Sequence, residues 1–579
     1  MKIKIQLATT ILLLFSLTNI LAQSYTSQTI PMDAMTRSAV ATGDYDGDGD
    51  VDLVVAGMID TFDAATYLYE NQEGEFVETG QELAPLSDGS VIFGDYDADG
   101  DLDLFLSGNG NSDPVSALYE NQDGTFSEVD TEIQPMGGYT TAAFGDYDQD
   151  GDLDLVVVGD DQSFIYRNDG GSFTDIQAGI TGLNYATVEW VDYDNDGDLD
   201  LTVAGEDGAM PATIFYENSN GSFIEQDIAV QDIMSGDLAW GDYDNDGDKD
   251  LAVVGYDEYL SGKTVIYRND GNNAFKNIGV TLLGISKSSV EWGDADNDGD
   301  LDLLASGSCD DCNLLLTTVW ENDGGSFSDI IPGFENVERG TARFIDYDND
   351  GDNDVLVTGQ TISGEYVTEL YQQDAHDNEY HVNANPGEPA SLEATPSGNE
   401  VSLSWDPGTD DYTPEGSLTY NLRVGTTPGG IDVIDPMCTT SASTLLKPAK
   451  GNTDQSRSWM LKNLPAGTYY WSVQTVDNMY HASGFAAEQS FTITATGRAS
   501  VESSPVSIYP NPVVNQAKIK MSNDKFHTLE VRDITGKVLE SRKIAKGKLA
   551  IDFSGYNSGI YLVRLISRTS NHVEKLLVK

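Results

Sequence analysis

The nine residues Asp44–Asp52 read DYDGDGDVD, and five of them are aspartates. Carboxylates packed this closely repel one another, so a folded chain needs a reason to tolerate them. The pattern returns six more times: DYDADGDLD from Asp95, DYDQDGDLD from Asp146, DYDNDGDLD from Asp192, DYDNDGDKD from Asp242, DADNDGDLD from Asp294 and DYDNDGDND from Asp346. Successive starts lie 46 to 52 residues apart. A fixed period of that length signals a solenoid or a propeller.

Each unit carries more than the cluster. An aromatic residue stands two before the first aspartate in six units: Phe93, Phe144, Trp190, Trp240, Trp292 and Phe344. A short apolar run ending in Gly follows the cluster, as in LDLFLSG and LDLVVVG, and then a second signature such as YLYENQEGEF, FIYRNDGGSF or TVWENDGGSF. These segments are short, β-branched and aromatic, with Asn/Asp/Gly turns between them, so they read as strands. Four strands per unit, seven times over, predict an all-β fold with a seven-bladed β-propeller over residues 23–385. The seventh unit lacks the Asn-x-Gly turn; YQQDAHDNEYHV runs on after Glu369 instead. The segment SYTSQTIPM near the N-terminus resembles the missing part, so the N-terminal strand is expected to complete the last blade, with Tyr380 as the local alternative.

Numbered one to nine, the first loop has carboxylates at alternating positions and Gly49 at position 6 for a sharp turn. Hard oxygen ligands alternating around a tight turn suit Ca²⁺, which takes about six to eight of them. The candidate metal ligands are Asp44, Asp46, Asp48, Asp50 and Asp52 in the first loop, and Asp95, Asp97, Asp99, Asp101 and Asp103 in the second. The third and fourth offer Asp146, Asp148, Asp150, Asp152, Asp154, and Asp192, Asp194, Asp196, Asp198, Asp200. The fifth and sixth offer Asp242, Asp244, Asp246, Asp248, Asp250, and Asp294, Asp296, Asp298, Asp300, Asp302. The seventh offers Asp346, Asp348, Asp350, Asp352 and Asp354. At position 7 the backbone carbonyl is the expected donor. The bland alternative, a solvated acidic turn, does not require the same aspartates and the same Gly seven times. Magnesium prefers a stricter octahedron with more water. The expected cofactor is therefore about seven Ca²⁺, one per loop, acting as structural staples.

The pattern FGDYDxDGDLDL…YxNxxGxF resembles the FG-GAP/VCBS repeat, the calcium-loop blade of integrin α-subunit propellers and many bacterial surface proteins. The resemblance covers roughly residues 24 to 385 and departs at Ala295, where the other units have Tyr, and at the missing seventh turn.

Two further modules follow. Residues 386–495, with Trp405, Tyr470, Val473 and Val476, look like a fibronectin type III-like β-sandwich, Tyr470 standing where a tyrosine corner would sit. A Ser/Thr/Gly linker occupies 496–505. Charge then reverses: residues 506–579 hold 13 Lys/Arg and 6 Asp/Glu in a chain whose net charge is −67. An abrupt change of sign marks a separate module with a separate job. YPNP…DxxGK…GIYxVRL…K resembles the C-terminal sorting domain of the type IX secretion system. It implies a small β-sandwich, a Gram-negative bacterium of the Bacteroidota, and the secretion machinery as a partner. Residues 1–22, with Lys2, Lys4 and a short apolar run, read as a signal peptide. Cys309 and Cys312 form either a local disulfide or two idle thiols.

The charge argues against nucleic acid or an anionic membrane as a partner. All five histidines (His376, His381, His481, His527, His572) lie outside the seven loops, so histidine acid–base chemistry is not expected on the propeller. No GxSxG, HExxH or P-loop signature is present. The reading is a secreted or cell-surface, non-catalytic binding or adhesion protein for a glycan or protein ligand. The variable loops around Tyr256, Tyr259 and Tyr366 are candidates for contact with that ligand. A polysaccharide lyase or hydrolase on a calcium propeller, and a pure surface spacer, are the alternatives.

Overall fold

The computed structural model describes residues 25–373 (except 197, 220, 272, 297, 331 and 351), 384–494 (except 411, 412, 435, 437, 439–444, 448, 449, 454, 463 and 479) and 506–579 (except 510–512, 514, 522–526, 534–536, 545–548, 558 and 567–570). The signal-peptide reading, Tyr380 and the linker fall outside them. Every named element is a β-strand.

Seven four-stranded antiparallel sheets form among residues 25–373. Blade 1 is Thr36–Gly43, Asp52–Asp60, Asp63–Gln72 and Glu75–Glu78, in sequence order. Blades 2 to 6 repeat this meander, and blade 7 contributes Ala342–Ile345, Asp354–Gln360 and Tyr366–Gln373. Its outer strand is Tyr25–Gln28, paired from Tyr25↔Gln373 to Gln28↔Leu370. The N-terminal strand closes the ring, as expected. Second strands such as Asp154–Gly159 are buried along their whole length, which is why they read as unbroken apolar runs. First strands pack blade against blade around a central channel, and blade 7 returns to blade 1.

One hydrogen-bonded clasp recurs at every joint. The Asn of each YxN signature donates through Nδ2 to the carbonyl of loop position 2 in the preceding blade. The bonds are Asn71→Tyr347, Asn121→Tyr45, Asn168→Tyr96, Asn218→Tyr147, Asn269→Tyr193 and Asn322→Tyr243, all 2.6–2.8 Å. In blade 7 the longer Gln373 replaces Asn and reaches Ala295 O at 3.0 Å. The same Asn caps its own turn, accepting from the glycine N–H, as Gly124 N does with Asn121 Oδ1 at 2.9 Å. Rings seal the joints: Tyr147 stacks on Trp190 of the next blade at 5.9 Å, and Tyr243 on Trp292 at 6.0 Å. Gly145 must be glycine because a Cβ there would sit 2.7 Å from the Trp190 ring.

The departures of the last two units meet at one seam. Tyr25 stands opposite Gln373 where Phe76 stands opposite Asn71 and Phe126 opposite Asn121. Tyr25 packs edge-on to Phe334 at 4.9 Å, in the cluster that contains Ala295. The larger closing ring goes with the small residue at position 295.

Residues 384–494 form two three-stranded sheets, Ala390–Ser397, Glu400–Asp406, Ser458–Leu461 and Thr419–Gly425, Gly467–Val476, Gln489–Ile493. Their core holds Trp405, Tyr420 and Trp471. The tyrosine-corner bond belongs to Tyr469, whose hydroxyl donates to Pro465 O at 2.8 Å, and not to Tyr470. Strand alternation explains the correction: Tyr469 and Trp471 point inward, leaving Tyr470 half-buried.

This sandwich belongs to one compact unit with the propeller and packs on its aspartate-loop end. Asp44 N donates to Leu446 O at 2.5 Å, Lys462 N to Gln149 O at 3.4 Å, and Asn478 Nδ2 to Gly299 O at 3.1 Å. Gln455 Nε2 reaches Asp242 Oδ2 at 3.3 Å, and Lys450 Nζ donates to Trp240 O. Burial pushes the Lys447 ammonium down to about 8.

The described residues of 506–579 form a separate unit. In it a three-stranded and a four-stranded sheet enclose Leu529, Val531, Ile551, Val563, Leu565 and Leu576.

Asn121→Ala removes the clasp and leaves buried carbonyls and the Gly124 amide unpaired. Chemical denaturation should show a loss of about 3 kcal/mol; an unchanged midpoint would mean the clasp carries no stability.

Candidate functional site

Every aspartate loop joins the first strand of its blade to the second, so all seven lie at one end of the ring. The position 1 carboxylate organises each loop. Asp44 Oδ1 accepts from Gly47 N and Asp48 N at 2.8 and 3.0 Å, and Oδ2 from Gly49 N at 2.9 Å. Asp95 and Asp242 repeat this with the amides four and five residues on. Wrapping backbone N–H groups round one carboxylate needs positive φ at positions 4 and 6. Position 6 is Gly100 at 100° or Gly247 at 93°; position 4 is Ala98, Gln149, Asn195, Asn245 or Asn349 at 56–60°. Asn tolerates that region better than most residues, which accounts for its recurrence. Gly151 is constrained twice, since a Cβ there would also lie 1.7 Å from Val433 O of the sandwich.

The position 9 aspartates (Asp52, Asp103, Asp154, Asp200, Asp250, Asp302, Asp354) are all 0% exposed. One oxygen of each accepts the backbone N–H of the clasp residue at 2.7–2.8 Å. In the first loop the other oxygen accepts Tyr45 N at 3.0 Å. The ninth aspartate therefore ties loop to clasp. The position 7 side chains divide: Asp50 accepts from Asn349 Nδ2 at 2.7 Å and Glu73 N at 2.8 Å, and Asp300 from Asn245 Nδ2 at 2.7 Å and Gly324 N at 2.9 Å, whereas Asp101, Asp198 and Asp352 hold buried oxygens without a hydrogen-bond partner.

The remaining carboxylates converge. Oxygens of Asp44, Asp46 and Asp48 lie within 4.8 Å of one another, as do those of Asp95, Asp97, Asp99 and of Asp242, Asp244, Asp246. In two loops the ninth aspartate joins the first and third, as Asp146, Asp148, Asp154 and Asp192, Asp194, Asp200. At position 3, the Oδ1 atoms of Asp97, Asp148, Asp244, Asp296 and Asp348 are buried without a hydrogen-bond partner. A buried unpartnered carboxylate oxygen is costly unless a cation meets it. Three converging carboxylates, in several loops with an unpartnered buried oxygen among them, fit a hard divalent cation with oxygen ligands. Burial pushes Asp44 and Asp242 up to about 6, Asp52 and Asp103 to about 8, and Asp200, Asp250 and Asp354 to about 9.

The structure also shows a ring that sequence reasoning missed. One residue per blade, just inside the first strand or before it, has positive φ: Arg37 (51°), Asp88 (47°), Tyr139 (55°), Tyr185 (48°), Ser235 (48°), Lys287 (48°) and Arg339 (56°). None is glycine, so each position stores strain of about 1 kcal/mol or more. In five blades a register shift, as between Thr36 and Ala39, marks a β-bulge there. The glycine that ends each apolar run makes room for it: a Cβ on Gly108 would sit 2.7 Å from Gly89 Cα. That repeated glycine was the available signal. The bulges lie at the channel end away from the aspartate loops and line a cavity of about 480 Å³. Tyr256 also lines it, whereas Tyr259 and Tyr366 do not. Cys309 and Cys312 are bridged at a nearby hairpin.

Residues 44–305 match the FG-GAP-like repeat family in five overlapping copies (44–106, 95–157, 146–203, 192–253 and 242–305), and residues 507–579 match the secretion system C-terminal sorting domain. No curated protein matches the chain. Among solved structures it is similar to an Agrocybe aegerita lectin with specific recognition of non-reducing terminal N-acetylglucosamine (19% identity, 51% of this chain and 81% of that one, TM-score 0.35). It is also similar to extracellular domains of two hybrid two-component systems from B. thetaiotaomicron. One has 11% identity, covering 81% of this chain and 57% of that one, TM-score 0.37; the other has 10% identity, covering 96% and 98%, TM-score 0.39. Likenesses at this level say nothing of what this chain binds.

The raised aspartates set the sign of a pH effect. A carboxyl whose folded pKa exceeds its unfolded value stabilises the fold below about pH 4, and that stability is lost as pH rises through the folded pKa. Calcium-free protein should therefore melt at least roughly 5 °C lower at pH 8.5 than at pH 5.5. Millimolar calcium should remove or reverse the difference. Identical calcium-free melts at the two pH values would contradict this electrostatic reading.

Proposed function

Because the chain is built on FG-GAP-like repeats and ends in a secretion-system sorting domain, we propose that it is an exported, calcium-stabilised, non-catalytic binding protein of the outer cell surface. Its ligand is a glycan or a protein, taken up on the propeller end away from the aspartate loops. The observation that carries this is the division of the two ends. Sandwich residues contact the loop end at Asp44, Phe93, Gln149, Asp242 and Gly299, in five different blades. Apolar side chains stand bare on the hairpin tips of the other end: Phe62 at 91% exposure, Tyr259 at 79% and Ile362 at 69%. Exposed apolar residues on the loops of a rigid scaffold are what a recognition surface needs.

Calcium in this reading is structural, about one ion per loop. It supplies positive charge where the position 3 oxygens have no partner. Extracellular calcium modules bind at roughly 10⁻⁴–10⁻³ M, so each ion adds on the order of 1 kcal/mol at millimolar calcium. The non-catalytic reading rests on the use of the acids. Those of the loops hold backbone, and within the channel Glu291 accepts Phe344 N at 3.0 Å while Asp237 accepts Val290 N at 3.1 Å. Among the described residues no helix is long and apolar enough to cross a membrane. Surface attachment is accordingly assigned to the route served by residues 507–579.

Mature protein should be retained on at least one member of a panel of immobilised polysaccharides and extracellular proteins in calcium, and released by chelator, with no new reducing ends in the supernatant. New reducing ends would make it an enzyme, and no retention anywhere would leave a spacer. Deleting residues 506–579 should strand the chain in the periplasm; normal surface display would refute the export route.

A further inference from the structure

The seven strained positions at the channel mouth are not distributed at random in chemistry. Lys287, Arg339 and Arg37 occupy consecutive blades 6, 7 and 1, and their backbones are joined: Arg339 N donates to Lys287 O at 3.0 Å and Arg37 N to Arg339 O at 2.5 Å. Tyr139 and Tyr185 occupy blades 3 and 4, with ring centroids 4.0 Å apart. In a ring of seven, blades 3 and 4 lie across the channel from blade 7. A cationic arc therefore faces an aromatic arc across one cavity of about 480 Å³, a volume within the range of small-molecule sites.

The cations are only partly engaged. Arg37 uses Nη1 on Asp88 at 3.0 Å; Lys287 is the most engaged, pairing with Glu338 at 2.9 Å and Asp310 at 3.6 Å and lying 6.0 Å from the Tyr256 ring centroid. Arg339 comes no closer than 3.8 Å to Glu338 and is 40% exposed in its side chain. Most of the fork of donors on the two guanidiniums thus remains available to a planar anion. Only nine of the chain's 30 Lys/Arg fall within residues 25–373, and three of those nine stand in this arc. In a propeller so rich in aspartate, placing cations on strained backbone at the channel mouth is a feature that folding alone does not require.

We propose that the channel mouth binds an acidic sugar: its anionic group, a carboxylate or a sulfate ester, on Arg339, Arg37 and Lys287, and its ring against the Tyr139–Tyr185 pair. The inference deepens the binding reading above and rests on it. Aromatic faces take the apolar face of a pyranose, and arginine takes the acid bidentately. Asp88 and Glu338 hold the cations in place between ligands.

The test is calorimetry on the full mature chain in calcium, with digalacturonate, its methyl ester, galactose 6-sulfate and neutral digalactose as probes. Arg339→Asn and Tyr139→Asn each remove one member of an arc while keeping a residue that tolerates positive φ, and thermal melts confirm that both variants fold. Arg37→Gln serves if either does not. An acidic probe is expected to bind at least tenfold more tightly than its neutral counterpart. Each variant should weaken it at least tenfold, and affinity should fall with salt. Preference for digalacturonate assigns a carboxylate and preference for galactose 6-sulfate a sulfate; both support the site. Equal binding of neutral and acidic probes, no binding of either, or binding that survives both variants overturns it. Retention on the polysaccharide panel that is unchanged in both variants would overturn the mouth site while leaving the general binding reading intact.

Discussion

The propeller depends on one hydrogen bond repeated seven times, from a buried side-chain amide to the second carbonyl of the preceding aspartate loop. That carbonyl is correctly placed only if its loop is closed. Loop closure depends on the first aspartate gathering backbone amides and on the ninth lying fully buried against the clasp residue of its own blade. Loop, clasp and neighbouring blade thus form a closed circuit. Within the first loop's circuit the buried carboxylates are met by backbone N–H groups but by no opposite charge from their own loop, and burial raises their pKa. On the calcium-stabilised reading proposed above, the acidity concentrates charge where a divalent ion can turn repulsion into cross-linking, while the bridged cysteines among the described residues are only three residues apart.

A consequence is that the two ends of the ring carry different duties. The loop end has to be rigid and is further packed under the sandwich, whose Lys447 and Lys450 reach backbone carbonyls of Phe93 and Trp240. The other end carries no repeated clasp among the described residues; its inter-blade bonds are individual, as where Asn111 pairs with both backbone groups of Ala64. Strained bulges, bare apolar tips and the cation–tyrosine ring all occur there. Strain at the mouth persists because seven rigid blades hold it in place.

Much of this was legible in the sequence because the repeat states the same physics seven times. Period, strand type and the alternating carboxylates followed from spacing alone, and the missing turn after Glu369 pointed to closure by the N-terminal strand. Four things were not legible. The clasp is invisible because its partners lie about seventy-five residues apart in adjacent units, and a lone Asn before a turn reads as turn chemistry. The compensating trio Tyr25, Ala295 and Gln373 reads as separate irregularities until register brings them to one seam. The mouth ring is hidden because Arg, Asp, Tyr, Ser and Lys share no residue type; only the glycine opposite them is constant, and its role is steric. Tyr469 rather than Tyr470 makes the corner bond for a similar reason, since one step along a strand reverses the face.

The most direct test of the account is a count of bound metal. Equilibrium dialysis of the mature protein against millimolar calcium, followed by elemental analysis, should find about seven Ca²⁺ per chain, with equal magnesium failing to displace them. Retention of no calcium, or of a single ion, would mean that the loops hold themselves together by hydrogen bonds alone and that the cation account is wrong.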